Sequence, residues 1–227
     1  MAKKKLRKLL ILGANNPETA RVVTAINDES PTWELVGFLD NDPKKHGRMF
    51  CGYPVLGGSR LVSDPQYRDC YVVNAITRDC ATRKETCEEL AHRGARFANL
   101  VHPSVDIRDV KMGVGNLIQE RVILQPGVRI GNHCDINGGA IIAHESELGD
   151  YVFVAPGGVL AGLVKVGDAV MIGVHATVLP RLTVGPWAVI GGGAVVIHDV
   201  PPNATVGGNP ARILYGNVKG RKPPVEG

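Results

Sequence analysis

Residues 136–162 read INGGAIIAHESELGDYVFVAPGGVLAG, and an aliphatic side chain returns at every sixth position: Ile136, Ile142, Leu148, Val154 and Leu160. The same register meets Ile118, Leu124 and Ile130 upstream. Downstream it meets Val166, Ile172, Val178, Val184, Ile190 and Val196, making fourteen positions without a break. The residue two places before each is usually small (Ala140, Ser146, Gly158, Ala176, Ala188, Ala194). A strand repeats every two residues and a helix every 3.6, so neither generates a period of six. A hexapeptide repeat does, with one short parallel strand and one turn per repeat and three repeats per coil. Each ladder residue then points into a triangular prism and stacks on the residue one coil later, with strands of adjacent coils about 4.8 Å apart. Burying an aliphatic side chain stabilises by roughly 1.5–3 kcal/mol at most, so this ladder supports about five coils without aromatic anchors.

Such anchors are scarce: 28 of the 227 residues are glycine and only 5% are aromatic. The net charge of +4 is mild and its basic residues are dispersed, apart from KKKLRK at 3–8 and KGRK at 219–222. That distribution does not suit a nucleic-acid footprint. Five cysteines, Cys51, Cys70, Cys80, Cys87 and Cys134, form an odd set without C-x-x-C spacing. Neither a disulfide framework nor a zinc site is expected, and a reducing cytoplasm fits best. The opening MAKKKLRKLLILGANNPE imitates a signal peptide, but its apolar run is short and passes into a polar loop without a cleavage site. No stretch reaches the roughly 18 apolar residues of a membrane span.

The first hundred residues follow a different rhythm. KLLILGA (8–14), WELVGFLDND (33–42), CYVVNAI (70–76) and ARFANLVHP (95–103) read as strands, the last a single return strand. PETARVVTAIND (17–28) and TRKETCEELAHRG (82–94) read as helices, the second stopped by Gly94. This order predicts a small Rossmann-like α/β domain with a parallel sheet over residues 1–100. The all-β prism follows over 101–214, and a flexible tail over 215–227. Ligands bind at the carboxyl ends of parallel strands, which places Gly13–Pro17 and Asp40–Asp42 on the functional edge. The loop GANNPE is not a dinucleotide fingerprint. It is either an ordinary turn capped by Asn16 or a loop whose backbone N–H groups hold a phosphate or sugar hydroxyl.

The hexapeptide run, the ending VGGNPARIL (206–214) and the preceding α/β domain resemble the PglD/NeuD-type sugar acetyltransferases. The likeness extends to about Leu214 through VVNAITRDCATRKE, NLVHPSV, the opening stretch above and IGGGAVVIHDVPP. It implies a left-handed parallel β-helix and acetyl-CoA as acyl donor, with no metal. It also implies a nucleotide-linked amino sugar or a sialic acid as acceptor. A homotrimer is implied too, with coenzyme A between adjacent prisms and the sugar bridging small domain and prism.

Prism geometry places Gly162, eighteen residues after His144, on the same corner of the next coil. A general base and a backbone oxyanion donor, the two requirements of acyl transfer, thereby come together. The column Asn137, Ala155, Gly173 and Gly191 contains only small residues and predicts a shallow outer track for a pantetheine arm. Gly162, Gly173, Val174, Gly191 and Gly192 are the candidate coenzyme contacts. An amino-sugar nitrogen is mostly ammonium near neutral pH, and histidine, with an unperturbed pKa of about 6.5, is suited to deprotonate it. The resemblance favours His144 as base and Asn137 as a substrate or supporting residue. Glu145 is expected to orient the imidazole or hold the amine. Gly13, Asp40 and Asn41 are the candidate acceptor contacts, Asp40 toward nucleotide or ribose. His133, His144 and His175 fall on three different columns, so no metal site is expected; His175 and His198 read as surface turns.

Three departures affect the acceptor half. Relatives often carry a second histidine nine residues after the base, where this chain has Phe153. The loop after the first strand is two residues longer than the common form, and the acidic pair after GFL is Asp40-Asn41. Three readings stand: an N-acetyltransferase of a UDP- or GDP-linked amino sugar, an O-acetyltransferase of a sialic acid or similar sugar, or a non-catalytic trimeric scaffold that binds sugar nucleotides.

Overall fold

The computed structural model describes residues 5–76 and 79–215. The expected flexible tail, from 216 on, lies outside the described residues. The α/β region runs β1 (Arg7–Leu12), α1 (Glu18–Glu29), β2 (Trp33–Leu39), β3 (Met49–Phe50), β4 (Tyr53–Gly57), β5 (Tyr71–Asn74), α2 (Cys80–His92) and β6 (Arg96–Phe97). The sheet order is β3-β4-β2-β1-β5-β6, and only the β3–β4 pair is antiparallel. β1 lies centrally with Leu9–Leu12 buried, which explains its continuous apolar run. Leu9 and Ile11 pack with Ala20, Val22 and Val23 of α1, whereas Leu10 and Leu12 share a core with Leu90 of α2. Alternation along one strand thus seats one helix on each face. Asp79 caps α2 by accepting the Thr82 N–H (2.6 Å), and Gly94 at φ 78° ends it.

Two expectations need correction. The β3–β4 hairpin carries no strong alternation and was not foreseen. The single return strand is divided: β6 completes the α/β sheet, and β7 (Leu100–Val101) pairs in parallel with Leu117–Ile118 of the prism. Two separate sheets claim the segment because Ala98 bonds back to Val72 while Leu100 bonds forward to Asn116.

The remainder is a left-handed parallel β-helix of two-residue strands. Ile118 pairs with Ile136, Ile136 with Val154, Val154 with Ile172 and Ile172 with Ile190, one coil at each step. The small residues Ala140, Ser146, Ala176, Ala188 and Ala194, each two places before a ladder residue, are also fully buried. At each corner one residue takes the left-handed conformation, Glu145 at φ 56° and His175 at φ 52° among them. At the far end the step shortens, and Ile190 pairs with Val206.

The three prism faces differ in what they present outward. One carries Leu117, Asp135, Phe153, Met171 and Val189 and lies under the α/β region. The next carries Ile123, Ile141, Val159, Thr177 and Val195, without a charge. The third carries Lys111, Arg129, Glu147, Lys165 and Thr183. Docking of the α/β region on the first face involves Arg83–Asp135, Arg21–Glu120 and the edge-on contact of Phe97 with His133.

Candidate active site

His144 stands at the corner between the uncharged and the charged faces, exposed to solvent. Its backbone N–H donates to Gln125 Oε1 (2.9 Å), and its carbonyl accepts the Leu163 N–H (2.9 Å), so both neighbouring coils hold its backbone. The imidazole lies across Gly162, with Nε2 its nearest atom; a Cβ there would stand 2.6 Å from Cε1. Only glycine leaves room for the ring in this position. Gly162 is itself buried beneath the imidazole, rather than open beside it as the spacing alone suggested. No group among the described residues accepts its N–H. Gln125 went unrecognised in the sequence because a glutamine at a corner carries no spacing signal of its own.

Glu145 shares the corner, but its side chain lies back against Gly127 of the preceding coil. Among the described residues no hydrogen bond joins it to His144. His175 and His198 are exposed at corners. His133 is enclosed between Phe97 (4.4 Å) and Tyr151 (5.4 Å), and burial holds its pKa below the ordinary histidine value.

The expected outer track is only half present. Asn137 and Ala155 are buried and cannot line it. Asn137 spends its amide on Val154 O (2.9 Å) and Asp135 Oδ1 (3.3 Å), and its carbonyl oxygen accepts from Gln119 (2.9 Å). It is a supporting residue of the covered face here. The track survives around Gly173, Val174, Gly191 and Gly192, with Val174 and Gly192 exposed. Gly173 is crowded by backbone, a Cβ there standing 2.7 Å from Ile190 O.

On the sheet edge, Gly13 adopts φ 104° and packs against Ile76. Asp40 does not reach outward as expected. It accepts the N–H groups of Ala14 (3.0 Å) and Asp42 (2.9 Å) and pairs with Lys45 (2.7 Å). Burial raises its pKa, but the bonds from Lys45, Asp42 and Ala14 outweigh that and hold the carboxyl below its ordinary value. Asn41 accepts the Ser59 N–H (2.8 Å) and borders an open cavity of about 560 Å³ that also meets His46, Gly58 and Arg60. Asn16 accepts the Glu18 N–H (3.0 Å) in the turn that enters α1, whose N-cap position is Pro17.

The unforeseen residue is Arg83. It occupies the buried stripe Cys80, Arg83, Cys87 and Leu90 of α2, and a cation on such a stripe was the available signal. It pairs with Asp135 (3.2 Å), and both are about 1% exposed. Burial pushes the Asp135 carboxyl up, with Arg83 opposing. The Arg83 guanidinium also lies 5.5 Å from the ring of Phe153. Burial raises the thiols of Cys80 and Cys87 to about 11 and that of Cys134 to about 12, so none of the three supplies a nucleophilic thiolate.

Within one chain the site residues form two separate groups. Gly13, Asp40 and Asn41 belong to the region docked on the covered face, whereas His144 and Gly162 occupy the prism edge opposite that face. Among the described residues no helix is long and apolar enough to cross a membrane.

Residues 8–90 match the family described as the PglD N-terminal domain. The acetyltransferase domain of PglB from Neisseria gonorrhoeae, in complex with acetyl coenzyme A, superposes with a TM-score of 0.83 at 27% identity, covering 92% of this chain and 100% of that one. PerB from Caulobacter crescentus, in complex with CoA and GDP-perosamine, gives 0.81 at 27%, covering 93% and 99%. WeeI from Acinetobacter baumannii gives 0.79 at 28%, covering 91% and 99%. No curated protein sequence matches the chain. With the prism and its corner, these likenesses define an acyltransferase of the hexapeptide-repeat class. Within that class residues 8–90 match the PglD N-terminal domain, and nearly the whole chain is similar to the acetyltransferases above.

Proposed function

We propose that this protein is an acetyl-CoA-dependent N-acetyltransferase of a UDP- or GDP-linked amino sugar. The observation that carries the reading is the exposed His144 imidazole lying over Gly162, in a chain whose relatives hold acetyl coenzyme A or CoA with GDP-perosamine. His144 takes a proton from the sugar ammonium, and the freed amine attacks the thioester carbonyl carbon. The carbonyl oxygen becomes an oxyanion that the unspent N–H of Gly162 stabilises. As the intermediate collapses the C–S bond breaks, the nitrogen gives up its second proton, the amide forms, and the coenzyme leaves as a thiolate that takes up that proton, while His144 returns the first to solvent. No covalent enzyme intermediate is required, because the donor already carries an activated acyl group.

The same reading makes the enzyme a homotrimer with its site between subunits. One chain holds the acceptor edge and the base on opposite sides of its prism, so a neighbour's base must complete each site. The uncharged face, where Ile123 is half exposed and Ala143, Ala161, Leu179 and Ile197 continue the apolar surface, supports association of that kind. Acceptor binding is assigned to the edge around Gly13 and the Asn41 cavity, and coenzyme binding to the track at Gly173, Val174, Gly191 and Gly192.

The test is thiol release from acetyl-CoA against a panel of UDP- and GDP-linked amino sugars, with hydroxyl-only sugars alongside. Release only with amino sugars supports the reading. Release with the hydroxyl sugars alone moves it to O-acetylation, and silence across the panel overturns it. A monomer in analytical ultracentrifugation would overturn the composite site.

A further inference from the structure

We propose that Arg83 and Asp135 form a positioning pair that sets the acceptor-binding edge of the α/β region on the prism; this rests on the functional reading above. Arg83 touches three structures at once. Its Nε donates to Ile76 O (3.0 Å), in the segment leaving β5 at the carboxyl edge of the sheet. Its Nη2 donates to Asp135 Oδ2 (3.2 Å), on the covered face of the prism. Its guanidinium faces the Phe153 ring in the next coil.

Each end of the pair extends into a buried network. On the α/β side, Ile76 packs against Gly13, and its N–H donates to Asn74 Oδ1 (2.9 Å). Asn74 is itself bonded to Thr86 of α2 (2.7 Å). On the prism side, Asp135 accepts from Asn137 (3.3 Å), which in turn accepts from Gln119 (2.9 Å), and Gln119 accepts the Gly138 N–H (3.2 Å). A continuous polar chain therefore runs from the strand-end loop beside Gly13 to a corner of the prism.

A buried ion pair adds little stability compared with apolar side chains of the same volume, and removing one partner alone is strongly destabilising. Its contribution here is directional: the planar guanidinium fixes the distance and angle between two bodies. Reaction geometry is sensitive to this, since a displacement of about 1 Å far from the chemistry can reduce rate by about a hundredfold. Among the described residues the Nη1 of Arg83 is buried without a hydrogen-bond partner, and the side chain is held through Ile76, Asp135 and Phe153.

Two variants test the pair: Asp135→Asn, which keeps the shape, and Arg83→Met combined with Asp135→Leu, which removes both charges and leaves no unpaired buried charge. Three readouts are taken on the full-length protein: amide exchange at Ala14 and Ile76, kcat/KM for the nucleotide amino sugar, and the Kd of acetyl-CoA. In both variants, exchange at those amides should accelerate and acceptor kcat/KM should fall by at least about tenfold. The acetyl-CoA Kd should stay within about twofold. A folded double variant with wild-type exchange and wild-type acceptor kcat/KM overturns the proposal. So does a loss shared equally by acetyl-CoA affinity, which marks general damage. If the wild type acetylates no acceptor, the functional reading fails while amide exchange still decides the positioning role.

Discussion

The His144 imidazole occupies the space that a side chain at Gly162 would need, so the two residues form one sterically complete unit. Neither can be varied without displacing or emptying the other.

Gly162→Ala should therefore push the imidazole off its seat, because the new Cβ would meet the ring at sub-contact distance. His144→Ala removes the proposed base outright. Each should lower kcat by at least about a hundredfold, the usual worth of general base catalysis, with the acetyl-CoA Kd little changed. Steady-state kinetics with calorimetric titration of the coenzyme checks this; near wild-type turnover in His144→Ala would remove it from the mechanism.

The proposed coenzyme track makes a second prediction. Val174 is exposed beside Gly192, so Val174→Trp should obstruct a bound pantetheine arm without crowding the coils. Acetyl-CoA affinity should fall by roughly tenfold, about 1.4 kcal/mol, at an unchanged melting temperature. Unaltered affinity would place the coenzyme in another groove.

Gly173 behaves differently despite lying on the same track. A Cβ there would press on backbone of the next coil, 2.8 Å from Gly191 C. Gly173→Ala should cost roughly 1–3 kcal/mol of stability, the range for overpacked sites, and chemical denaturation measures it directly.

The buried His133 ties stability to pH. Burial lowers its folded-state pKa, so between the folded and unfolded values the unfolded chain binds more protons. Its neutral form therefore contributes stability that is complete above about pH 6.5 and declines as pH falls through that window. His133→Phe, which retains a ring between Phe97 and Tyr151, should flatten the fall in denaturation midpoint between about pH 7 and about pH 5. An equally steep fall in the variant would assign the dependence to other groups.

The prism was legible because its signal is translational: the residue stacked on Ile136 is Val154, and every coil repeats the constraint. The His144–Gly162 pairing could be read for the same reason, being one coil step. The β3–β4 hairpin and the split of the last α/β strand were not legible, since short strands lack the alternation that identifies longer ones.

By itself, then, the sequence determined the coil period, the corner on which His144 stands and the glycine below it, because repeat spacing converts directly into position. Only the tertiary structure decided which face of the prism the α/β region covers. That docking buries Asn137 and Arg83 and leaves His144 on the edge opposite the covered face. These are contacts between elements far apart in the chain, and they depend on side-chain shape and charge at an interface whose register no local periodicity encodes.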